Sequence, residues 1–328
     1  MFNKGLVIGK FYPPHMGHKY LIDTAASQCE HLTVIVCWKK SQLISGVERA
    51  RWIQEIHPGV EVKLLDDDRL TDDDSEGWAK NTLAVLGYTP DAVFTSESYG
   101  DPYAKFMGCV HVLVDKDRTH IPISATIVRK DPTKYAHLLM PVVRASFARR
   151  IAVVGAESTG TTTLSRDLAK HYRTTWVPEY GRMYSEGKVY GDENALWRSE
   201  EFMKIARAQA TLEDALAESS NGLLICDTDP FATSIWHERY MGSQSPEVEK
   251  FADRRHYDLY ILTGDEIPFV QDGLRDGEDI RHDMHTRFEE KLKATGRNYI
   301  VVRGSREERL TDAIKAIDGI MPTVVDHE

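Results

Sequence analysis

Two histidines stand three residues apart in Gly9-Lys10-Phe11-Tyr12-Pro13-Pro14-His15-Met16-Gly17-His18. The segment lies between an apolar run, Gly5-Leu6-Val7-Ile8, and a helical pattern, Lys19-Tyr20-Leu21-Ile22-Asp23. Strand, turn and helix in that order put Gly9, Lys10, His15 and His18 at the carboxyl end of a strand, beside a positive helix N-terminus. An open parallel sheet receives its ligand there. Imidazole and ammonium donors at such a place suit attack on a nucleotide phosphate. Further along, Ile123-Ser124-Ala125-Thr126-Ile127-Val128-Arg129 offers two hydroxyls and a guanidinium, spaced for the first turns of a helix. Ser124 and Thr126 can cap and donate to phosphate oxygens, and Arg129 presents a fork of donors.

A second constellation begins at Arg150-Ile151-Ala152-Val153-Val154. This run enters Gly155-Ala156-Glu157-Ser158-Thr159-Gly160-Thr161-Thr162-Thr163-Leu164, and a helical pattern follows through Ser165, Leu168 and His171. A glycine-rich loop between strand and helix aims backbone amides at an anion, helped by the helix dipole. The usual pattern is GxxxxGK[ST]; here Thr161 holds the lysine position and Thr162 follows it. Lysine normally reaches the β- and γ-phosphates, whereas threonine donates one hydrogen bond and carries no charge. Leu223-Leu224-Ile225-Cys226-Asp227-Thr228-Asp229 is an apolar strand ending in carboxylates.

The elements that must position these groups alternate. In the first half Leu32–Trp38, Val60–Leu65, Ala92–Thr95 and Val110–Val114 are expected as strands, with helices over Val47–Ile56 and Thr82–Leu86. In the second, Leu259–Thr263 is expected as a strand and Arg306–Ile317 as a closing amphipathic helix. Alternation of this kind predicts an α/β chain of doubly wound parallel sheets. Two domains are expected, 1–147 and 148–328, joined through Lys134–Arg149 with its Pro141.

Composition narrows the class. Of 328 residues, 41% are hydrophobic and 28% charged, ordinary values for a soluble globular chain. No apolar run approaches the roughly 18 residues that a bilayer requires, and no charged-then-apolar leader is expected at the N-terminus. Cys29, Cys37, Cys109 and Cys226 are scattered without CxxC pairing, which fits reduced thiols and a cytoplasmic protein. The net charge of −10 is uneven: residues 1–147 hold 17 basic and 18 acidic side chains, the remainder 24 and 33. Neither half has a basic tract, so no nucleic-acid partner and no membrane are expected. The run Asp66-Asp67-Asp68 to Asp72-Asp73-Asp74-Ser75-Glu76 is either a metal cage or, the preferred reading, a solvated loop.

Together the first two segments resemble the HxGH and ISxxxR signatures of the nucleotidyltransferase superfamily. Their wider wording, GKFYPPHMGH with ISATIVRKDP, is similar to the nicotinamide-nucleotide adenylyltransferase branch of the NadR type. Trp176-Val177-Pro178-Glu179-Tyr180-Gly181-Arg182 resembles the VPEYAR element of ribosylnicotinamide kinases. Cys226-Asp227-Thr228-Asp229 through Ile235-Trp236 resembles their DTD…W segment, and Pro268-Phe269-Val270-Gln271-Asp272-Gly273-Leu274-Arg275 with Arg281 resembles their lid.

The resemblance implies a Rossmann-like nucleotidyltransferase sheet followed by a P-loop kinase-like sheet. It also implies adenylyl transfer from ATP to nicotinamide mononucleotide, giving NAD and pyrophosphate, and phosphorylation of nicotinamide riboside, both with Mg²⁺. His15 and His18 would donate to the triphosphate, and Lys10, Ser124 and Arg129 would hold its β- and γ-phosphates. Trp38, Arg51, Trp52 and Tyr99 are candidates to stack on or balance the nicotinamide nucleotide; Asp115 and Arg118 resemble a segment near the adenine. In the second half Gly155, Ser158, Thr159, Gly160, Thr161 and Thr163 would cradle phosphates, and Thr162 would meet Mg²⁺. Asp227 would orient metal-bound water or take the proton of the ribose 5′-hydroxyl. Glu179, Arg182 and Trp236 would hold the riboside, and Arg275 and Arg281 would close over the transferred phosphate. The missing lysine keeps a second reading open, an adenylyltransferase whose C-terminal domain only binds nucleotide or riboside, or senses it. The DNA-binding helix-turn-helix of some enterobacterial relatives is not expected, since the first strand begins at once. A homo-oligomer is compatible with the sequence.

Overall fold

Leu6, Val7 and Ile8 are buried in succession, as are Ile151 to Val154. A strand apolar on both faces needs helices on both faces of its sheet, and each half of the chain provides them. The computed structural model describes residues 1–68, 71, 74–192, 195–268 and 280–321. They belong to two units, Met1–Ser146 and Phe147–Glu328.

In the first unit the order is β1 (Phe2–Gly9), α1 (Met16–Ala26), β2 (Cys29–Trp38), α2 (Gly46–Ile56), β3 (Glu61–Asp66), α3 (Ser75–Leu86), β4 (Ala92–Thr95), α4 (Gly100–Met107), β5 (Val110–Leu113), α5 (Ala125–Lys130) and α6 (Pro141–Phe147). The strands are parallel in the order β3-β2-β1-β4-β5, with Val7 between Val34 and Phe94. Val7, Val34, Val36 and Phe94 pack against Leu21, Ile22 and Ala25 of α1 and Ile53 of α2. On the other face Leu6, Ile8, Ile35 and Val93 meet Ala79 and Leu86 of α3 and Tyr103, Ala104 and Met107 of α4. The chain reverses direction across the sheet between β1 and β4, so the crevice opens beyond their carboxyl ends.

The second unit runs β6 (Arg149–Val154), α7 (Thr161–Tyr172), β7 (Thr175–Val177), α8 (Tyr180–Val189), α9 (Ser199–Ala217), β8 (Leu223–Asp227), α10 (Pro230–Met241), α11 (Pro246–Ala252), β9 (Leu259–Thr263), α12 (Arg281–Ala294), β10 (Tyr299–Val302) and α13 (Arg306–Ile320). Its parallel order is β10-β9-β6-β8-β7. Leu164 and Leu168 of α7 and Ala313 and Ile317 of α13 cover Ile151, Val153, Ile225 and Ile261. Both loops expected to bind phosphate thus follow the central strand of their own sheet.

The segment Lys134–Arg149 is not a loose connector. Val142 and Val143 are buried within α6, and Arg149 already pairs in β6. Pro141 opens that helix, where its missing N–H costs nothing. Among the described residues, no helix is long and apolar enough to cross a membrane.

Two candidate active sites

At the end of β1 the chain turns through Phe11, left-handed at φ 43°, and enters α1 at His15. The His15 and His18 rings stack with centroids 3.7 Å apart, and the Phe11 ring meets His18 edge-on at 5.0 Å. The His15 backbone N–H donates to His18 Nδ1 at 3.3 Å. The neutral His18 ring therefore carries its proton on Nε2. Burial, and then the nearby Arg118, pull the His15 value down to about 4; burial, His15 and Arg118 hold His18 well below the ordinary imidazole range. Both rings are thus neutral near pH 7.

Gly9, Lys10, His15, Gly17, His18, Tyr99, Asp115, Arg118, Ser124, Thr126 and Arg129 line one cavity of about 800 Å³. Ser124 caps α5, its Oγ accepting from Ile127 N at 3.4 Å, so the hydroxyl proton remains free to point outward. Arg129 donates to the Tyr12 carbonyl and to Thr126 Oγ1 at 3.2 Å, and its guanidinium lies 4.7 Å from the Tyr12 ring centre. The two segments singled out from sequence are thereby tied together. Donors converge from a strand end, a helix N-terminus and α5, an arrangement that can hold a polyphosphate and take up charge developing on it.

Sequence reasoning missed the brace behind this site. Arg49, two positions before Arg51 on α2, supplies it. Fully buried, it donates to the Lys10 carbonyl, to Cys37 O at 3.1 Å, to Ser45 O at 3.2 Å and to Gln42 Oε1 at 2.6 Å. Tyr12 is clasped between Arg49 and Arg129, and its hydroxyl accepts from Leu43 N at 3.1 Å. Arg51 instead lies on the exposed face of α2, paired with Glu48 at 2.8 Å and Glu55 at 3.2 Å, as i,i+3 and i,i+4 spacing dictates. Trp52 is 2% exposed, on the inward side of α2. Trp38 seats on Gly46, where an added Cβ would lie 2.4 Å from the indole. Neither Trp38, Arg51 nor Trp52 is part of the cavity wall. Arg49→Met should destabilise this unit by about 2–4 kcal/mol, because it strands several buried acceptors at once; urea unfolding of the variant against the parent measures it.

The second site forms where β6 ends. Ser158 and Gly160 are left-handed, at φ 59° and 84°, and curl the loop before Thr161 opens α7. Gly155 is required by close approach: a Cβ there would lie 2.2 Å from Thr263 Oγ1 and 2.7 Å from Thr159 Oγ1. Gly155, Ser158, Gly160, Thr161, Thr162 and Thr163 line a cavity of about 250 Å³ with Glu179, Arg182 and Trp236. Thr159 does not face it. Its hydroxyl turns inward, donating to Ala156 O at 2.6 Å and pairing with Thr263 Oγ1 at 2.7 Å.

Asp227 ends β8 directly behind the loop, 1% exposed, with neither oxygen completing a hydrogen bond. Burial raises it to about 6 against the opposing pull of the Thr162 and Thr161 hydroxyls, Arg166 and Arg182. Glu179 is pushed up to about 8 by burial and by the Asp227 charge. Both carboxyls are thus held above the ordinary carboxylate range, Glu179 the further of the two, so the pair keeps a proton more readily than free carboxyls do. Asp229 has no such role: it caps α10, accepting from Ala232 N at 2.9 Å and from the Tyr260 hydroxyl at 2.8 Å.

Arg281 is not among the residues that line this cavity. It is 4% exposed and donates to Asp265 O at 3.0 Å, Ile267 O at 2.8 Å and Ser158 O at 3.5 Å, holding the outside of the phosphate loop. Arg275, Asp72 and Asp73 lie outside the described residues. Among the described residues, no group of three or more His, Cys, Asp or Glu could hold a metal ion. Sequence reasoning also missed Arg309, whose Nη1 donates to Thr159 O at 2.7 Å and Nη2 to Gly264 O at 3.1 Å and Glu266 Oε1 at 2.6 Å. Missed too was the aromatic wall of Trp197, Phe202 and Tyr240 beside Trp236. Arg309 heads the buried stripe of α13 with Ala313 and Ile317, where a charge reads as the edge of the apolar face, and Trp197 precedes a helix, so neither carries a local signature.

Fold and sites together define an α/β protein of two units, each a five-stranded parallel sheet with a phosphate-loop-like turn after its central strand. A family model described as an AAA domain matches residues 150–309. The "Trifunctional NAD biosynthesis/regulator protein NadR" of Escherichia coli (strain K12) is 33% identical over 293 residues, covering 83% of this chain and 71% of that protein. Its counterpart in Salmonella typhimurium (strain LT2) is 33% identical over 295 residues, covering 83% and 72%. The chain belongs to the NadR family. A crystal structure of a NadR protein in complex with NR has a TM-score of 0.79 at 20% identity, covering 99% of this chain and 98% of that one. Another, in complex with NAD and AMP-PNP, has a TM-score of 0.78 at 20% identity, with 100% and 99% covered.

Proposed function

We propose that residues 1–147 transfer the adenylyl group of ATP to nicotinamide mononucleotide, and that residues 148–328 phosphorylate nicotinamide riboside. The observation that carries the first half is the stacked neutral pair His15 and His18 in one cavity with Ser124 and Arg129. A phosphate oxygen of the mononucleotide attacks the α-phosphorus of ATP in line, the bond to the β-phosphate oxygen breaks, and pyrophosphate leaves with the electron pair. No group on the protein is modified, so catalysis is positioning plus charge stabilisation. His15 and His18 donate as charge builds on the leaving oxygens. Lys10, Ser124, Thr126 and Arg129 hold the β- and γ-phosphates, and Gly9 lets the backbone approach. Tyr99, Asp115 and Arg118 stand on the same wall for the remainder of the two nucleotides.

In the second unit Gly155 to Thr163 receives the triphosphate of ATP. Asp227 takes the proton of the ribose 5′-hydroxyl as that oxygen bonds the γ-phosphorus and ADP departs. Glu179 and Arg182 hold ribose hydroxyls, and Trp236 stands beside the ring. Mg²⁺ fits this donor set: the Thr162 hydroxyl and the unpartnered Asp227 carboxylate are hard oxygens beside the loop, and phosphates and water complete such a shell. When bound it offsets charge on the phosphates. The names of the relatives, as NAD biosynthesis/regulator proteins, support the same reading.

Thr161 favours a second reading for the C-terminal unit, nucleotide binding with little turnover. Two assays on the purified chain separate the cases: NAD formed from nicotinamide mononucleotide and ATP, and ADP released with the riboside. NAD formation at tens of turnovers per minute or faster is expected, with slower ADP release that rises about tenfold or more in Thr161→Lys. Robust release in the parent with no gain from lysine would mean that Arg166 or Arg182, which both face Asp227, already supply the charge. Absence of NAD formation would remove the reading of the first unit.

A further inference from the structure

Three polar side chains meet at the edge of the first cavity and take no part in the chemistry assigned to it above. Thr95 ends β4, Asp101 lies in the first turn of α4, and His111 is the second residue of β5. His111 Nδ1 meets Asp101 Oδ1 at 2.6 Å, and its Nε2 meets Thr95 Oγ1 at 2.9 Å. Both ring nitrogens thus have partners, as an imidazole only 9% exposed on a strand requires. Gly100 permits the approach: a Cβ there would lie 2.0 Å from His111 Nε2 and 2.5 Å from Thr95 Oγ1.

Carboxylate, imidazole and hydroxyl in series have the order that activates a nucleophile. Here the hydroxyl is not available for that task. Thr95 is 1% exposed, and its Oγ1 donates to the Glu97 carbonyl at 3.1 Å. The series instead ties the end of β4 to the turn that follows it. Thr95, Ser96, Glu97, Ser98 and Tyr99 form one continuous stretch of the cavity wall. Two contacts carry the position of that wall inward. Glu97 Oε1 stands 3.8 Å from Arg118 Nη2, and the Tyr99 hydroxyl donates to Ile8 O at 3.4 Å, next to Gly9. Arg118 in turn is close enough to His15 and His18 to help keep both rings neutral. Those are the rings that donate to the triphosphate in the reading above, so ATP is the nucleotide on which this wall bears.

We infer that Asp101 and His111 are positioning residues for adenylyl transfer: acting through Thr95, they fix the wall at residues 96–99, and the Arg118 beside it, against bound ATP. This role rests on the reading of the cavity as the adenylyl-transfer site. Neither Asp101 nor His111 lines the cavity, so neither reaches a reacting atom, and their loss loosens ground state and transition state alike. Such a change raises KM and leaves kcat nearly as it was.

The test is steady-state NAD formation from ATP and nicotinamide mononucleotide by the full chain, with thermal melts of every variant. His111→Phe keeps the ring and loses both nitrogens; Thr95→Val keeps the shape and loses the hydroxyl. Each is expected to raise the KM for ATP by about 3- to 10-fold, the scale of one hydrogen bond, with kcat in His111→Phe within about twofold of the parent. The double variant should be no worse than the poorer single, because the two residues act along one path. Asp101→Ala, at an exposed side chain, should raise the KM as well, and it decides the matter should His111→Phe fold poorly. Asp101→Asn keeps an oxygen for Nδ1 and should stay close to the parent. A loss of kcat at constant KM, the sign of less folded protein, overturns the inference. So do unchanged constants in Asp101→Ala, or losses that add in the double variant. A folded parent that makes no NAD overturns the reading of the cavity itself, a different outcome from any of these.

Discussion

His18→Ala should lower the turnover of NAD synthesis by about 10²-fold or more, with a much smaller change in the KM for ATP. Removing one preorganised donor to a developing charge costs about 3–4 kcal/mol in sites of this kind. The site loses Nε2–H, the only proton that a neutral His18 ring can present, because Nδ1 is occupied by the His15 backbone N–H. Lys10, Ser124 and Arg129 remain to grip the ground-state triphosphate, which is why affinity changes less than rate. Near-normal turnover in the variant would move the chemistry elsewhere in the cavity. A pH consequence accompanies this. The folded value of His15 lies near 4, below the ordinary 6.5, so its contribution to stability is present above pH 6.5 and is lost as pH falls toward 4. Bound triphosphate favours the imidazolium form and should offset that loss, which thermal melts at pH 5 with and without ATP would reveal.

Asp227→Asn should reduce riboside-dependent ADP release by about 10³-fold, the usual scale for losing a positioned base, and at the same time make the free protein more stable. The carboxylate is buried with both oxygens unpaired. Its folded value near 6 exceeds the unfolded 3.8, so the folded state carries a penalty that is absent below about pH 4 and complete above 6. At 1.36 kcal/mol per unit, that penalty is of order 3 kcal/mol. The gain in melting temperature should therefore appear at pH 7.5 and vanish near pH 4. Loss of activity without a pH-dependent gain would mean that Asp227 is compensated in the free protein, and its role as base would lose its electrostatic ground.

Those two residues were legible because Asp227 ends a strand and His18 opens the helix that follows one, each in a setting its neighbours declare. A run of apolar residues followed by Gly9 or Gly155 announces a ligand-facing turn, and β8 delivers Asp227 from an unbroken apolar stretch. What the sequence conceals is long-range. Arg49 and Arg51 have the same charge and sit two positions apart on α2, but a rotation of about 200° separates them, and only the packed sheet decides which one faces inward. Thr159 and Arg281 looked like phosphate ligands by position; the distant Thr263 and the carbonyls of Asp265 and Ile267 claim them instead. Helix α4, which opens Gly100-Asp101-Pro102, is not among the expected elements; it is fixed by Tyr103, Ala104 and Met107, buried against the sheet. Periodicity reports which residues face the core, and it is silent on which partner from the other end of the chain they will meet.

The Arg309 contact also sets an order of events during synthesis. Thr159 and the guanidinium that holds its carbonyl are separated by 150 residues. At roughly 5–20 residues per second, a ribosome that has already made the loop takes about 10–30 s to deliver its brace. Throughout that interval the loop lacks the arginine that holds the Thr159 carbonyl, and α13, which covers Ile151 and Val153, is also missing. In this unit the cradle is therefore made early and braced only once α13 has emerged.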